Sequence, residues 1–482
     1  MCKLAGERMT ADFIRFHAAE RPDAVALVND GREITYAKFA GDIGKMARGL
    51  RELGLSRGAR VAIDCRDIYL DWLLRLACEE LCAVSTSFVG RESLRSGPGL
   101  GEFDLVLSQN GIPAEGVRRV HALTPDWLDG VFARAVDGEG SAPPKRPDDP
   151  LRILRTSGTT GIPKRLLYSR RMHERSIEQS LWFNGFTRRS RYLLAIPFTV
   201  GAPTACVRVG ATVVLESRMR VAEAITAHRI THTTLPPILL MRTLNHLERS
   251  FVKPAELTIF TFGAAVSRDL RDKALARLAT DVCDMYGSNE VGFVSSMRGN
   301  ADVGVVWPGV RVEIVDERDC ALPLGQTGRI RIRTDCMVEG YLDDPEATRC
   351  MFRDGWFYAG DLGILHGPRL LQVVGRSDDL LNIGWNKIMP ETVEALVLGV
   401  AEIADAGVCS LRNADGIEEI YIAVSGVRID DRELTERIGR TLRRFQLGNI
   451  HIFKLSGIPR NAGGKIQRDL LKSAVMKAAS AS

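Results

Sequence analysis

The sequence predicts an α/β fold in two domains: a large N-terminal domain of layered α/β sheets with a small β subdomain, and a small C-terminal α+β domain. The first reason is length. A chain of 482 residues exceeds what one ordinary core accommodates, so it divides. The second is the run from Val61 to about Leu240. There, short apolar stretches (Val61 to Ile63, Leu105 to Leu107, Tyr192 to Ile196, Thr212 to Leu215) alternate with stretches of helical period, the pattern of largely parallel sheets covered by helices. The third is a change of character after Gly375. Charge density rises and helical stretches bracket strands near Ile403 to Cys409 and Glu419 to Val424, which sets residues 378–482 apart from residues 1–377.

Taken in order, Phe13, Ile14, Phe16, His17 and Ala18 open a helical pattern. Ala24 to Val28 and Glu33 to Tyr36 flank Asn29-Asp30-Gly31 and read as a hairpin, and Tyr36 to Leu53 repeats apolar residues at helical spacing before ending at Gly54. Ser141 to Pro150 is rich in proline and charge and reads as a surface linker, leading into an apolar strand at Leu151 to Leu154. Val310 to Val315 and Arg329 to Arg333, separated by Gly325 and Gly328, are the strands expected of the small β subdomain. No internal repeat is visible, and residues 1–8 carry no functional signal.

Composition excludes several classes. Hydrophobic residues make up 45% of the chain, ample for large cores, and a net charge of +5 with 26% charged residues does not call for nucleic acid. No apolar run is long enough for a membrane span and the N-terminus lacks a signal-peptide pattern, so cytoplasmic residence is the expectation. The ten cysteines are scattered without a CxxC pair or zinc-ligand spacing. Cys78 and Cys82, one helical turn apart, read as small core residues on one helix face.

The densest chemical signal is Thr156-Ser157-Gly158-Thr159-Thr160-Gly161-Ile162-Pro163-Lys164. Its glycines let backbone N–H groups approach phosphate oxygens, its hydroxyls add donors, and Lys164 supplies a mobile positive charge. A Walker A loop needs glycine before its lysine and Ser or Thr after it. Pro163 and Arg165 occupy those positions, so a P-loop NTPase is not expected.

Four further clusters follow in order: Tyr286-Gly287-Ser288-Asn289-Glu290, Tyr358-Ala359-Gly360-Asp361, Gly375-Arg376-Ser377-Asp378-Asp379, and Pro459-Arg460-Asn461-Ala462-Gly463-Gly464-Lys465. Tyr286 offers a face for adenine to stack on, and Gly287 lets the backbone lie flat against the base. Glu290 is a hard oxygen ligand of the kind Mg²⁺ prefers. Asp361 suits the acceptance of two ribose hydroxyls, Arg376 can donate to ribose or phosphate, and Lys465 sits in a Gly-rich segment from which a long stem can carry charge to a reacting centre.

With the phosphate loop, this order resembles the adenylate-forming superfamily of acyl-CoA synthetases, firefly-type luciferases and peptide-synthetase adenylation domains, over about residues 150–470 by motif. The resemblance implies an acid-thiol ligase that uses ATP and Mg²⁺ to turn a small-molecule carboxylic acid into an acyl-adenylate, releasing pyrophosphate, and then passes the acyl group to coenzyme A. It further implies that Asn289 contacts the α-phosphate, that Gly263-Ala264-Ala265 walls the adenine and acyl pockets, that Lys465 serves the adenylation half-reaction, and that Asp378 is the hinge of a mobile C-terminal domain. Two alternatives stand beside it: loading of an acyl carrier protein's phosphopantetheine, and a non-catalytic nucleotide-binding scaffold.

Some positions depart from the superfamily's pattern. Arg165 replaces a usual glycine and Ala359 a usual hydroxyl residue. Pro197-Phe198-Thr199-Val200-Gly201 lacks the histidine many acyl-CoA synthetases carry, and no acid occurs between Pro197 and Cys206 to pair with a substrate ammonium, which disfavours an α-amino acid. Trp385 stands where a glycine near the thiol path is usual, and His228 and His232 read as structural histidines.

Overall fold

The computed structural model describes residues 9–88, 102–109, 111, 118–134, 145–155, 164–195, 201–263, 266–299, 303–377, 381–383, 386–388, 390–400, 402–412, 418–443, 449–461 and 464–481. The chain opens with α1 (Thr10–Glu20), the hairpin β1 (Val25–Asn29) and β2 (Arg32–Thr35), and α2 (Tyr36–Glu52). Asp30 and Gly31 both take positive φ, 46° and 83°, the geometry a two-residue hairpin turn requires. The Thr35 hydroxyl caps α2 by accepting from the Lys38 N–H, and Gly54 at φ 76° follows its end.

The smaller sheet holds β3 (Arg60–Asp64), β4 (Val84–Phe88), β5 (Leu105–Ser108), β6 (Val120–Ala122), β7 (Pro150–Arg155) and β8 (Arg165–Ser169), with α3 (Ile68–Glu80) and α4 (Pro125–Ala133) between strands. Its strands β6-β5-β3-β4-β7 are parallel, and β8 runs antiparallel to β7. The Ser/Thr/Gly-rich loop therefore joins two neighbouring antiparallel strands. Thr156, Ser157, Gly158, Thr159, Thr160 and Gly161 themselves lie outside the described residues.

The larger sheet is built from β9 (Arg191–Leu193), β10 (Thr212–Leu215), β11 (His232–Thr234), β12 (Thr258–Phe262) and β13 (Asp281–Ser288), all parallel, with β1 and β2 at one edge. The intervening helices are α5 (Arg170–Asn184), α6 (Gly201–Arg208), α7 (Val221–Ala227), α8 (Pro237–Asn245) and α9 (Arg268–Arg277). From β13 the same sheet continues antiparallel through β14 (Gly292–Arg298) and β15 (Gly304–Val306), while β16 (Arg311–Val315) and β17 (Thr327–Arg333) pair with each other at its far edge. The segment β18 (Tyr341–Leu342) leaves it to pair with β8 of the smaller sheet. After α10 (Pro345–Met351), the strands β19 (Phe352–Arg353), β20 (Trp356–Gly367) and β21 (Leu370–Arg376) complete the larger sheet. The strands expected of the β subdomain are thus hydrogen-bonded into one continuous path with the parallel strands.

Beyond residue 380 come the hairpin β22 (Leu381–Ile383) and β23 (Asn386–Ile388), then α11 (Pro390–Leu398), β24 (Asp405–Arg412), β25 (Glu418–Ser425), α12 (Asp431–Leu442), β26 (Ile450–Lys454) and α13 (Arg468–Ala481). Val393, Val397, Val408, Ile420, Ile422, Leu434 and Ile438 form a separate apolar core there. Strand β26, which pairs parallel to β25, was not legible in the sequence.

A buried polar seam joins the elements around α5. The Arg208 guanidinium donates to both Glu174 oxygens at 2.6 and 2.7 Å and to Thr10 at 2.9 Å, and Arg152 pairs with Glu79. His173, enclosed beside Glu79 and several arginines, is pushed well below its usual range by burial first and by those cations second, so it is neutral. Cys78 and Cys82 are both buried, but only Cys78 is on α3; Cys82 follows the helix at φ 53°, which corrects the expectation of one shared helix face.

Removing one member of a fully buried, two-pronged ion pair strands its partner's charge. Arg208→Ala is therefore expected to cost about 3 to 5 kcal/mol of stability, read as a lower urea midpoint; an unchanged midpoint would show that the pair is dispensable.

Candidate active site

The parallel strands β11, β12 and β13 end together at Thr234, Phe262 and Ser288, where ligands of open α/β sheets bind. At this end β13 turns sharply into β14. A Cβ on Gly287 would lie 2.3 Å from the Gly292 carbonyl oxygen and 3.0 Å from Phe293 Cα, so only glycine fits.

Tyr286 and Asp361 come from distant segments and meet here. The Tyr286 hydroxyl donates to Asp361 Oδ2 at 2.6 Å. Asp361 and Arg376 are cross-strand partners of β20 and β21, and the Arg376 Nη1 donates to the Ala359 carbonyl at 3.0 Å and reaches Asp361 Oδ1 at 3.5 Å. Gly360, at φ 72°, lets the guanidinium pass: a Cβ there would sit 2.8 Å from Arg376 Nη2. Burial raises the Asp361 carboxyl above its ordinary range, against the lowering effects of the Tyr286 bond, Arg376 and Lys465. Burial and Asp361 raise Tyr286 well above the usual phenol range, so its hydroxyl remains a donor.

Glu290 is 7% exposed and accepts from the Tyr341 hydroxyl at 3.1 Å. Among the described residues no Lys or Arg forms an ion pair with it. A buried carboxylate without a counter-ion is costly, and a bound cation relieves that cost, so this position fits Mg²⁺. The Ser288 hydroxyl beside it is buried and has no partner among the described residues. Asn289 is exposed, and its carbonyl accepts from Tyr168. The Lys164 ammonium lies 4.8 Å from the centre of the Tyr341 ring. Among the described residues no cluster of three or more His, Cys, Asp or Glu could hold a metal by itself.

The C-terminal segment reaches the same place. Arg460 is held by Asp405 at 2.7 Å, Asn461 and Lys465 exchange backbone and side-chain hydrogen bonds, and Gly464, at φ 81°, rests against α8, where a Cβ would meet Ile238 at 2.8 Å. Lys465 is exposed, and its charge acts on Asp361. Gly263 ends β12 at φ 89°. Ala264, Ala265, Asp378 and Trp385, with Pro197 to Val200, lie outside the described residues.

Three site residues escaped the sequence analysis. Tyr341 and Tyr168 hold the Glu290 segment, and Asp284 accepts from the Thr261 hydroxyl at 2.8 Å and the Val266 N–H at 3.2 Å, bracing both sides of residues 264–265. The alternate spacing of Asp284 and Tyr286 on one strand was the available signal. His228 contacts Glu216 at 3.3 Å; His232 contacts Thr231 at 2.7 Å, and burial pushes it down to about 4.

A family model described as AMP-binding enzyme matches residues 14–85 and 102–342. Among curated relatives, the indoleacetate–CoA ligase of Aromatoleum aromaticum is 25% identical over 97% of this chain and 98% of its own length. The feruloyl-CoA synthase of an Amycolatopsis species is 28% identical over 92% and 94%. Among solved structures, ATP-bound MatB from Rhodopseudomonas palustris superposes with a TM-score of 0.82 at 22% identity, covering 97% of this chain and 99% of its own. O-succinylbenzoate coenzyme A synthetase from Bacillus subtilis, in complex with ATP and magnesium, gives 0.80 at 22% identity over 95% and 99%. The matched family model defines a nucleotide-binding α/β enzyme. The chain belongs to the AMP-binding enzyme family. Among the described residues, no helix is long and apolar enough to cross a membrane.

Because the folded-state value of Asp361 is raised, the stability linked to it is fully present below about pH 3.8 and is lost as pH rises through the raised value. Asp361→Asn, neutral throughout, should therefore gain in melting temperature relative to the wild type as pH rises above that point, in ligand-free enzyme. A difference that moves the other way would show that ionisation of Asp361 is favoured by the fold.

Proposed function

We propose that this enzyme is an ATP-dependent, AMP-forming ligase that joins an organic acid to the thiol of coenzyme A. The observation that carries the reading is the convergence of Asp361, Tyr286 and Arg376 with the C-terminal Lys465. One end of the sheet thus brings together a carboxylate, an aromatic side chain and an exposed lysine, which suit the roles of ribose acceptor, adenine platform and charge-stabilising cation.

In this reading adenine stacks on Tyr286 against Gly263, Ala264 and Ala265, and Asp361 accepts from the ribose hydroxyls. Thr156 to Gly161 and Lys164 bind the phosphates, Asn289 and Arg376 contact the α-phosphate and ribose, and Glu290 holds Mg²⁺. The metal supplies charge neutralisation on the triphosphate. A substrate carboxylate oxygen attacks the α-phosphorus and pyrophosphate leaves. Lys465 steers the carboxylate oxygen to the α-phosphorus and stabilises the negative charge building on the α-phosphate oxygens, so catalysis is positioning plus charge stabilisation. Rotation about Asp378 then admits the thiol, whose sulfur attacks the acyl carbon as AMP departs with the bonding electrons and the thiol proton passes to solvent.

The acid is read as one with an uncharged, preferably aromatic tail. The similarity to an indoleacetate–CoA ligase and a feruloyl-CoA synthase supports this. Phe260, Phe293 and Trp307 pack around Phe183 of α5 with ring centres 4.9 to 5.6 Å from its own, an aromatic core on that side of the sheet that suits such a tail.

The test is acid-dependent exchange of labelled pyrophosphate into ATP across aromatic, aliphatic and amino acids. Aromatic acids should stimulate exchange, and Lys465→Ala should reduce it by about 100-fold or more, the scale of losing one preorganised charge-stabilising group. If the enzyme binds ATP yet no acid stimulates exchange, the ligase reading fails.

A further inference from the structure

Tyr341 stands on β18, the short strand that crosses from the antiparallel part of the larger sheet to pair with Leu166 of the smaller one. It is 8% exposed and tightly placed. Its N–H donates to Thr348 Oγ1 at 2.9 Å, its ring packs edge-on against Phe352 at 5.5 Å, and a Cβ on the preceding Gly340 would lie 2.4 Å from Thr348 Cγ2. From this fixed base it touches two functional groups at once. The hydroxyl donates to Glu290 Oε1 at 3.1 Å, and the ring face lies 4.8 Å from the Lys164 ammonium.

We propose that Tyr341 is a positioning residue that holds the Glu290 carboxylate and the Lys164 ammonium in register for a metal-bound triphosphate. The proposal rests on the functional reading above. The residue type suits the task. A single neutral O–H fixes the rotation of a carboxylate without cancelling its charge, and an aromatic face attracts an ammonium without supplying an anion. An acidic side chain here would neutralise Lys164, and a basic one would neutralise Glu290.

The test is calorimetric titration of the intact enzyme with ATP, once with Mg²⁺ and once with EDTA. In Tyr341→Phe the Glu290 contact is lost and the ring remains. Mg·ATP binding should weaken by about tenfold or more, the scale of one hydrogen bond to a charged group, while metal-free ATP binding stays at the wild-type value. In Tyr341→Leu both should weaken, because Lys164 also loses its aromatic support. Tyr341→Phe that binds Mg·ATP as tightly as the wild type, or that weakens both titrations equally, overturns the proposal. A wild-type enzyme that binds no Mg·ATP overturns the functional reading itself, and that result is visible before any variant is made.

Discussion

A carboxylate removed from water must find a proton, a donor or a cation, and the active end of this enzyme is organised around two that do so incompletely. Asp361 is half-buried between the Tyr286 hydroxyl and the Arg376 guanidinium, and its carboxyl is still raised above the ordinary range. Glu290 is buried with the Tyr341 hydroxyl as donor. In the proposed function a ligand would supply hydroxyls to one and a cation to the other. A site built this way exchanges stability in the free protein for affinity in the bound one.

The fold supplies that arrangement through strand register. The β20–β21 ladder sets Asp361 opposite Arg376, the bulge after Tyr286 turns Gly287 against β14, and β18 carries Tyr341 between sheets. None of these placements is stable unless the two sheets keep a fixed relation. The Arg208, Glu174 and Thr10 bonds tie α1, α5 and α6 together and the Arg152 to Glu79 pair ties β7 to α3, and both are enclosed and so intolerant of truncation. The C-terminal segment docks by shape, with Gly464 against Ile238, and delivers Lys465 without burying it.

Much of this was legible in the sequence, and for a physical reason. Glycines that must take positive φ or admit a neighbouring backbone, such as Gly31, Gly54, Gly360 and Gly464, announce turns and close approaches locally. The charged residues beside them announce chemistry. The hairpin at Asp30-Gly31, the strand before Thr156 and the clusters around Tyr286, Asp361 and Lys465 were all read this way. Pairings between distant segments were not. Nothing local to Tyr341 says that β18 crosses to β8, and nothing local to Asp284 says that Val266 will donate to it. The same holds for β26, recognised only by its register with β25, and for the continuity of β14 to β21 with the parallel strands.

The central claim is that Lys465 serves the first chemical step and not the second. The most direct measurement supplies Lys465→Ala with a chemically synthesised acyl-adenylate and coenzyme A and follows thioester formation alongside adenylation from acid and ATP. The account predicts thioester formation near the wild-type rate with adenylation lost. Equal loss of both half-reactions, or adenylation that survives the substitution, would contradict it.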